Sequence, residues 1–314
     1  MRFPFVGLLT TVAGGRPFHH PQYFAAKEDE ELVENLQKMH KFESKDFDIC
    51  DSILNKATNS RKSKKEYQVR EILCWLLPCV IGIIMGFTAF VVDAGIEMLV
   101  TMRFERTKEN IFANGGFVLP FLVFASFSFA FTCVAGSLVA YVEPLAAGSG
   151  IPEIKTYLNG VHLPNLLHAK TFIAKLCGIV FSIGAGLIAG KEGPFVHGGA
   201  IVGSGVSGLA SRTFGVRAKG KYANLFRNDV DHREFTAIGT AAGVATAFGA
   251  PIGGALFTIE EGCSFYSTFI FWRCFIATCT GVLTLHTLVE FRNGFGKCKH
   301  FVPPSASHPL EARR

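Results

Sequence analysis

The chain has 314 residues, of which 49% are hydrophobic and only 18% charged, with a net charge of +6. Soluble domains carry about 25% charged residues, and the shortfall here is uneven: charge crowds the first third and the loops, leaving long windows with none. This pattern excludes a disordered chain and an ordinary soluble core. It points to a membrane protein whose basic excess suits cytosolic loops facing anionic lipid rather than nucleic acid.

Met1–Gly15 joins an arginine to a short apolar run. A weak signal peptide and a plain apolar start both fit; the acidic, soluble-looking sequence that follows favours the plain start. Lys27–Arg70 is polar, acidic over Glu28–Glu31 and basic over Arg61–Lys65, with little apolar periodicity. Residues 1–70 are therefore expected to be a cytosolic N-terminal region, largely disordered, with some helix. The basic cluster abuts the first apolar window, as the positive-inside rule requires.

Residues 71–291 are the expected membrane region. Ile72–Val92 is charge-free and long enough to cross about 30 Å of hydrocarbon. Gly115–Val142 is longer than one straight span needs and is expected to tilt, with Pro120 near its start. Lys175–Gly190 is shorter, Phe195–Ala210 is Gly-rich, and Phe235–Ile259 is a long window containing Gly239, Gly243, Gly249, Gly253 and Gly254. Phe269–Val289 is the last span, and 292–314 reads as a divergent polar tail with Pro303-Pro304. The fold class is all-α: a polytopic helical membrane protein with broken and tilted helices. Segments that are short, interrupted by Gly and Pro and ended by charge suit transporters, whose broken helix ends line a site near the midplane. Glycines at three- and four-residue spacing also let helices approach closely, which explains many of them without any site.

Most of the nine cysteines sit in apolar stretches without metal-ligand spacing and read as small buried hydrophobes. Cys298-Lys299-His300 has the look of half a metal site but no partner pair, so no metal is expected. Gly203–Gly208 satisfies G-x-G-x-x-G, yet it lacks the strand and βαβ unit that a dinucleotide site needs.

Three clusters carry charge or dipoles into the apolar region. In Gly148-Ser149-Gly150-Ile151-Pro152-Glu153, Pro152 suits a first helical turn, and Ser149 with the following amides would sit at a helix N-terminus, whose partial positive charge binds anions. A plain N-cap explains Ser149 equally well. In Gly190-Lys191-Glu192-Gly193-Pro194, Glu192 is an ionisable group between two apolar windows, costly and usually functional. A carboxylate there occupies an anion's place when ionised and leaves when protonated; a Lys191–Glu192 loop ion pair is the alternative. Glu260-Glu261 closes a long apolar stretch, either facing a water-filled vestibule or simply ending a helix at the interface.

Taken together, Gly148–Pro152, Gly190–Pro194 and the stretch from Gly239 to Gly262 closely resemble the CLC chloride channel and chloride–proton antiporter family. The likeness runs from about Ile72 to about Val289. Glu143-Pro144, Ala146-Ala147 and Lys155–Val161 resemble the lysosomal and late-endosomal branch most. The resemblance implies a helical membrane protein built of two inverted repeats and paired as a homodimer, with an accessory subunit as a further partner. It implies Ser149, with Gly150 and Ile151, as chloride-binding, Glu192 as the gating and coupling glutamate, Glu261 as the internal proton acceptor and Glu260 in support of its water path. Gly148, Pro152, Gly190, Lys191, Gly193 and Pro194 complete the anion-path motifs. Serine at 149 fits chloride, because nitrate-preferring plant relatives carry proline there, and a glutamate at 261 favours exchange over passive conduction. The implied function is chloride transport across an intracellular membrane, a 2 Cl⁻/H⁺ exchanger in the intact homologue. A passive voltage-gated channel and a non-transporting truncated fragment are the alternatives. The protein is not expected to be an enzyme or to hold a cofactor; chloride and protons are its ions, membrane lipid its surroundings, and nucleic acid no partner. Against the family pattern, the chain ends near the close of the first repeat, so the second repeat and the cytosolic CBS nucleotide site are expected to be absent.

Overall fold

The computed structural model describes residues 64–293 apart from 115, 162, 164–165, 209, 212–215, 218–225, 227 and 265–266. The readings made for Met1–Gly15, for the N-terminal region up to residue 63, for Cys298–His300 and for the tail from 294 lie outside the described residues.

Helix α1 runs over Lys64–Asn114, 51 residues with Pro78 inside. At 1.5 Å per residue it is about 75 Å long, so the window Ile72–Val92 is the apolar middle of a much longer helix. It continues because 93–114 is rich in Glu, Met, Arg and Lys, good helix formers that need not be buried. It also begins earlier than expected: Arg70 is bound to Asp231, Nη2 donating to both carboxylate oxygens at 2.7 and 3.0 Å.

Helix α2 (Val118–Ser137) has Pro120 in its first turn and ends in a π-helical turn, Leu138–Val142, and a 3₁₀ turn, Pro144–Ala146. Helix α3 (Ile151–Leu158) has 8 residues, α4 (Ala169–Gly184) has 16 and α5 (Glu192–Gly208) has 17. The strand pair β1 (Ala210–Ser211) and β2 (Val216–Arg217) is antiparallel, Ala210 opposite Arg217. Helices α6 (Asp229–Phe248), α7 (Pro251–Phe257) and α8 (Thr268–Asn293) follow, a π-helical turn, Thr258–Gly262, extending α7.

Among the described residues, three stretches are long and apolar enough to cross a membrane: Tyr67–Phe112, Val118–Val142 and Thr268–Asn293. The window Phe235–Ile259 is not one helix. Gly249, at φ 68°, closes α6 in the left-handed conformation that glycine tolerates, and Pro251 opens α7 at its first turn. The window Lys175–Gly190 is likewise half helix and half irregular chain, since α4 ends at Gly184.

The core is α5 against α6 and α1 against α8. A Cβ on Gly199 or Gly239 would collide with the other's carbonyl, so these helices meet backbone to backbone, and Gly243 meets Phe195 in the same way. Gly203, the first glycine of the G-x-G-x-x-G run, lies inside α5 against the Phe235 backbone. The expected close approach therefore holds for Gly239 and Gly243. Gly249 instead ends a helix, and Gly253 is exposed. Phe195, Phe235, Ile238, Ile81, Met85, Cys274 and Ala277 fill the shared interior. Cys74 and Cys274 are buried, as small hydrophobes should be, whereas Cys133 and Cys177 are exposed on their helices.

Candidate anion path

The first cluster forms a helix start. Gly150 adopts φ 87°, its carbonyl accepts the Ile154 N–H at 3.0 Å, and Pro152 stands in the first turn of α3. The Ser149 hydroxyl oxygen accepts the Ile151 N–H at 3.3 Å. That is the local cap expected on the plain reading, and it leaves the hydroxyl proton with no bond among the described residues. Ser149 is exposed.

The second cluster forms another. The Lys191 carbonyl accepts the Phe195 N–H at 3.1 Å, so α5 begins at Glu192. The two starts are pressed together: a Cβ on Gly193 would lie 2.8 Å from Ser149 Cβ and 2.9 Å from the Ser149 carbonyl oxygen. Only a residue without a side chain lets the loop carrying Ser149 approach the first turn of α5. Glu192 is half-buried, its carboxylate folded back onto Gly190, and it makes no hydrogen bond or ion pair among the described residues. The Lys191–Glu192 ion pair does not form. Lys191 Nζ instead donates to Asp93 of α1 at 2.7 and 3.0 Å, both side chains largely buried.

The third cluster sits on the π-helical turn after α7, not at the end of a long helix. Lys155 Nζ lies 3.3 Å from Glu261 Oε2, both groups more than half exposed. Leu158 Cδ1 lies beside Gly262, and the Asn159 side-chain oxygen accepts the Ser264 N–H at 3.0 Å. Helix α3, about 12 Å long, thus joins the clusters: Ser149, just before its start, touches Gly193, and the residues at its end meet the turn bearing Glu261. Glu260 is exposed and makes no hydrogen bond or ion pair among the described residues.

Two residues beneath this site were missed from the sequence. Lys175 and His197 are 4% and 0% exposed, with Lys175 Nζ 2.8 Å from His197 Nδ1 and His197 Nε2 2.9 Å from the Leu166 carbonyl oxygen. Both lie under Gly150, where a Cβ would come within 2.7 Å of Lys175 Nζ. Glu153 is a carboxylate whose charge acts on both, and its Oε2 is buried without a hydrogen bond among the described residues. A lysine within an apolar window was the available signal, since such a charge is costly and faces the protein interior.

Two helix starts thus converge in a helical membrane protein, with the ionisable Glu192 in the first turn of one of them, an arrangement that plain helix packing does not require. A profile described as voltage gated chloride channel matches residues 129–311, and the chain belongs to that family. The match reaches into the tail that the sequence set apart. The chain is 37% identical to the H(+)/Cl(-) exchange transporter 7 of Bos taurus and of Homo sapiens over 257 residues, 81% of this chain and 32% of each relative. Chloride channel protein A of Dictyostelium discoideum is 36% identical over 253 residues, 29% of its length. The chain therefore spans about a third of the length of these relatives. Among solved structures, a eukaryotic CLC transporter matches with a TM-score of 0.59 at 24% identity, covering 71% of this chain and 39% of that one. A slow cyanobacterial Cl⁻/H⁺ antiporter matches at 0.57 and 26%, covering 68% and 46%.

Proposed function

We propose that this chain contributes the Ser149 and Glu192 side of a chloride path and that the protein works as a chloride/proton exchanger. The observation that carries the reading is the contact of Ser149 with Gly193, which sets the exposed Ser149 beside the Glu192 turn. Dipoles at helix starts hold an anion without the strong grip of a full cation, so it can leave again. Glu192, unpaired and half-buried, competes for the same place when ionised and withdraws when protonated, which couples the two fluxes. Glu261, exposed on the turn held by α3, is the proton acceptor on the other side, with Glu260 supporting its water path. The names of the mammalian relatives and of the cyanobacterial antiporter support exchange over passive conduction. An intracellular, lysosomal or late-endosomal membrane, on the resemblance of Glu143-Pro144, Ala146-Ala147 and Lys155–Val161, and pairing with a second copy, on the family resemblance, complete the proposal.

Reconstitution into liposomes tests it. A chloride gradient that drives protons uphill supports exchange. Chloride flux without protons replaces the reading with a channel, and absence of flux refutes it for this chain acting alone.

A further inference from the structure

Between α4 and α5 the chain must deliver Glu192 to its place, yet the residues that do so are not packed. Gly186, Leu187, Ile188, Ala189 and Gly190 are all exposed. Burial does not position such a segment; backbone bonds from Gly186 and Leu187 to the Ile183 and Ser182 carbonyls of α4, at 2.9 and 3.2 Å, tie down its near end, and the rest depends on what its ends meet. Both ends also meet α1, a helix that belongs to none of the three motif clusters: one by an ion pair, the other by close packing.

At the far end, Lys191 donates to both oxygens of Asp93. A largely buried, two-oxygen ion pair is a charge-assisted bond of the stronger kind. It fixes the residue immediately before Glu192, whose carbonyl also receives the first hydrogen bond of α5. At the near end, Gly186 turns at φ 86°, and a Cβ there would lie 2.5 Å from Arg103 Nη1 and 3.0 Å from Nη2. Arg103 is 5% exposed and held in place: its guanidinium lies 4.7 Å from the Phe124 ring centroid and 5.2 Å from that of Phe104, and Nη1 donates to Ser128 Oγ at 3.4 Å.

We infer that Asp93, with Arg103, is a positioning residue for the Glu192 carboxylate: α1 anchors the exposed Gly186–Gly190 segment at its two ends and so sets where Glu192 stands relative to Ser149. The assignment of an ion-coupling role to that position rests on the function proposed above; the anchoring itself does not.

The test is millisecond-to-second hydrogen exchange, read by mass spectrometry on the whole chain in lipid nanodiscs. Asp93→Asn removes the charge and keeps the size. It should speed exchange across residues 186–195 by about tenfold or more, the local opening expected when a charge-assisted bond is lost. The α6 and α8 peptides should be unchanged, and Asp93→Glu should exchange as wild type does. Arg103→Leu should speed the 186 end first. Exchange over 186–195 that does not change in Asp93→Asn, a rise spread evenly over the chain, or an Asp93→Glu variant as fast as Asp93→Asn would each overturn the anchoring. In liposomes, Asp93→Asn should lower the ratio of protons to chloride moved and Asp93→Glu should retain it; a ratio untouched in Asp93→Asn overturns the positioning role. A wild-type chain that moves no chloride sinks the transport reading, and the exchange pattern then decides the anchoring by itself.

Discussion

Replacing Gly193 by alanine adds one methyl group at the point where the two helix starts meet. That carbon would lie 2.8 Å from Ser149 Cβ, 2.9 Å from its carbonyl oxygen and 3.0 Å from its Cα. Carbon atoms rest at about 3.5–4.0 Å, so the Ser149 loop must retreat by roughly half an ångström or more. Two of the three obstructing atoms are backbone, and behind the loop Gly150 already touches His197 and Lys175, so there is little room to yield. Overpacking of this kind costs about 1–3 kcal/mol. Borne by the chloride-holding arrangement, it corresponds to a roughly 5- to 150-fold weaker Kd. Isothermal titration of the purified chain with chloride measures this directly. Gly205→Ala is the control, since no atom lies within 4 Å of its Cβ position in the same helix. A Gly193→Ala protein that binds chloride as the wild type does, or a Gly205→Ala protein equally weakened, would refute the claim that the Ser149–Gly193 contact builds the site.

Ser149→Pro removes the hydroxyl and should shift anion preference from chloride towards nitrate, measured as relative flux in vesicles. Placed in a full-length relative, Glu192→Ala and Glu261→Ala should each abolish proton coupling; an unchanged stoichiometry in either variant removes that residue from the path. Arg273 Nη1 donates to Glu234 at 3.1 Å with both side chains under a fifth exposed, so Arg273→Leu strands a buried carboxylate and should cost roughly 3–5 kcal/mol in thermal unfolding. Lys155→Ala, which breaks the exposed pair with Glu261, should leave stability unchanged.

Much of the site was legible because its residues are anomalies. Glu192 between two apolar windows, and prolines after glycines where a helix must begin, are choices that plain membrane packing does not require. Asp93 and Arg103 were not legible, since charges beyond the window Ile72–Val92 look like a solvated loop until α1 is seen to run through them. Nor was the break at Gly249: Phe235–Ile259 is uniformly apolar, and hydropathy cannot distinguish one long helix from two joined at a left-handed glycine.

Composition and local pattern determined that this is a helical membrane protein and that helices start around Pro152 and Pro194, because the cost of burying charge and the geometry of glycine and proline act over a few residues. Which starts meet was decided only in three dimensions. The Ser149 loop reaches Gly193, Lys191 turns from Glu192 to Asp93, and Lys175 finds His197, each between residues far apart in sequence. Such pairings depend on how α1, α3, α4 and α5 pack around one another, and no local property of the chain records it.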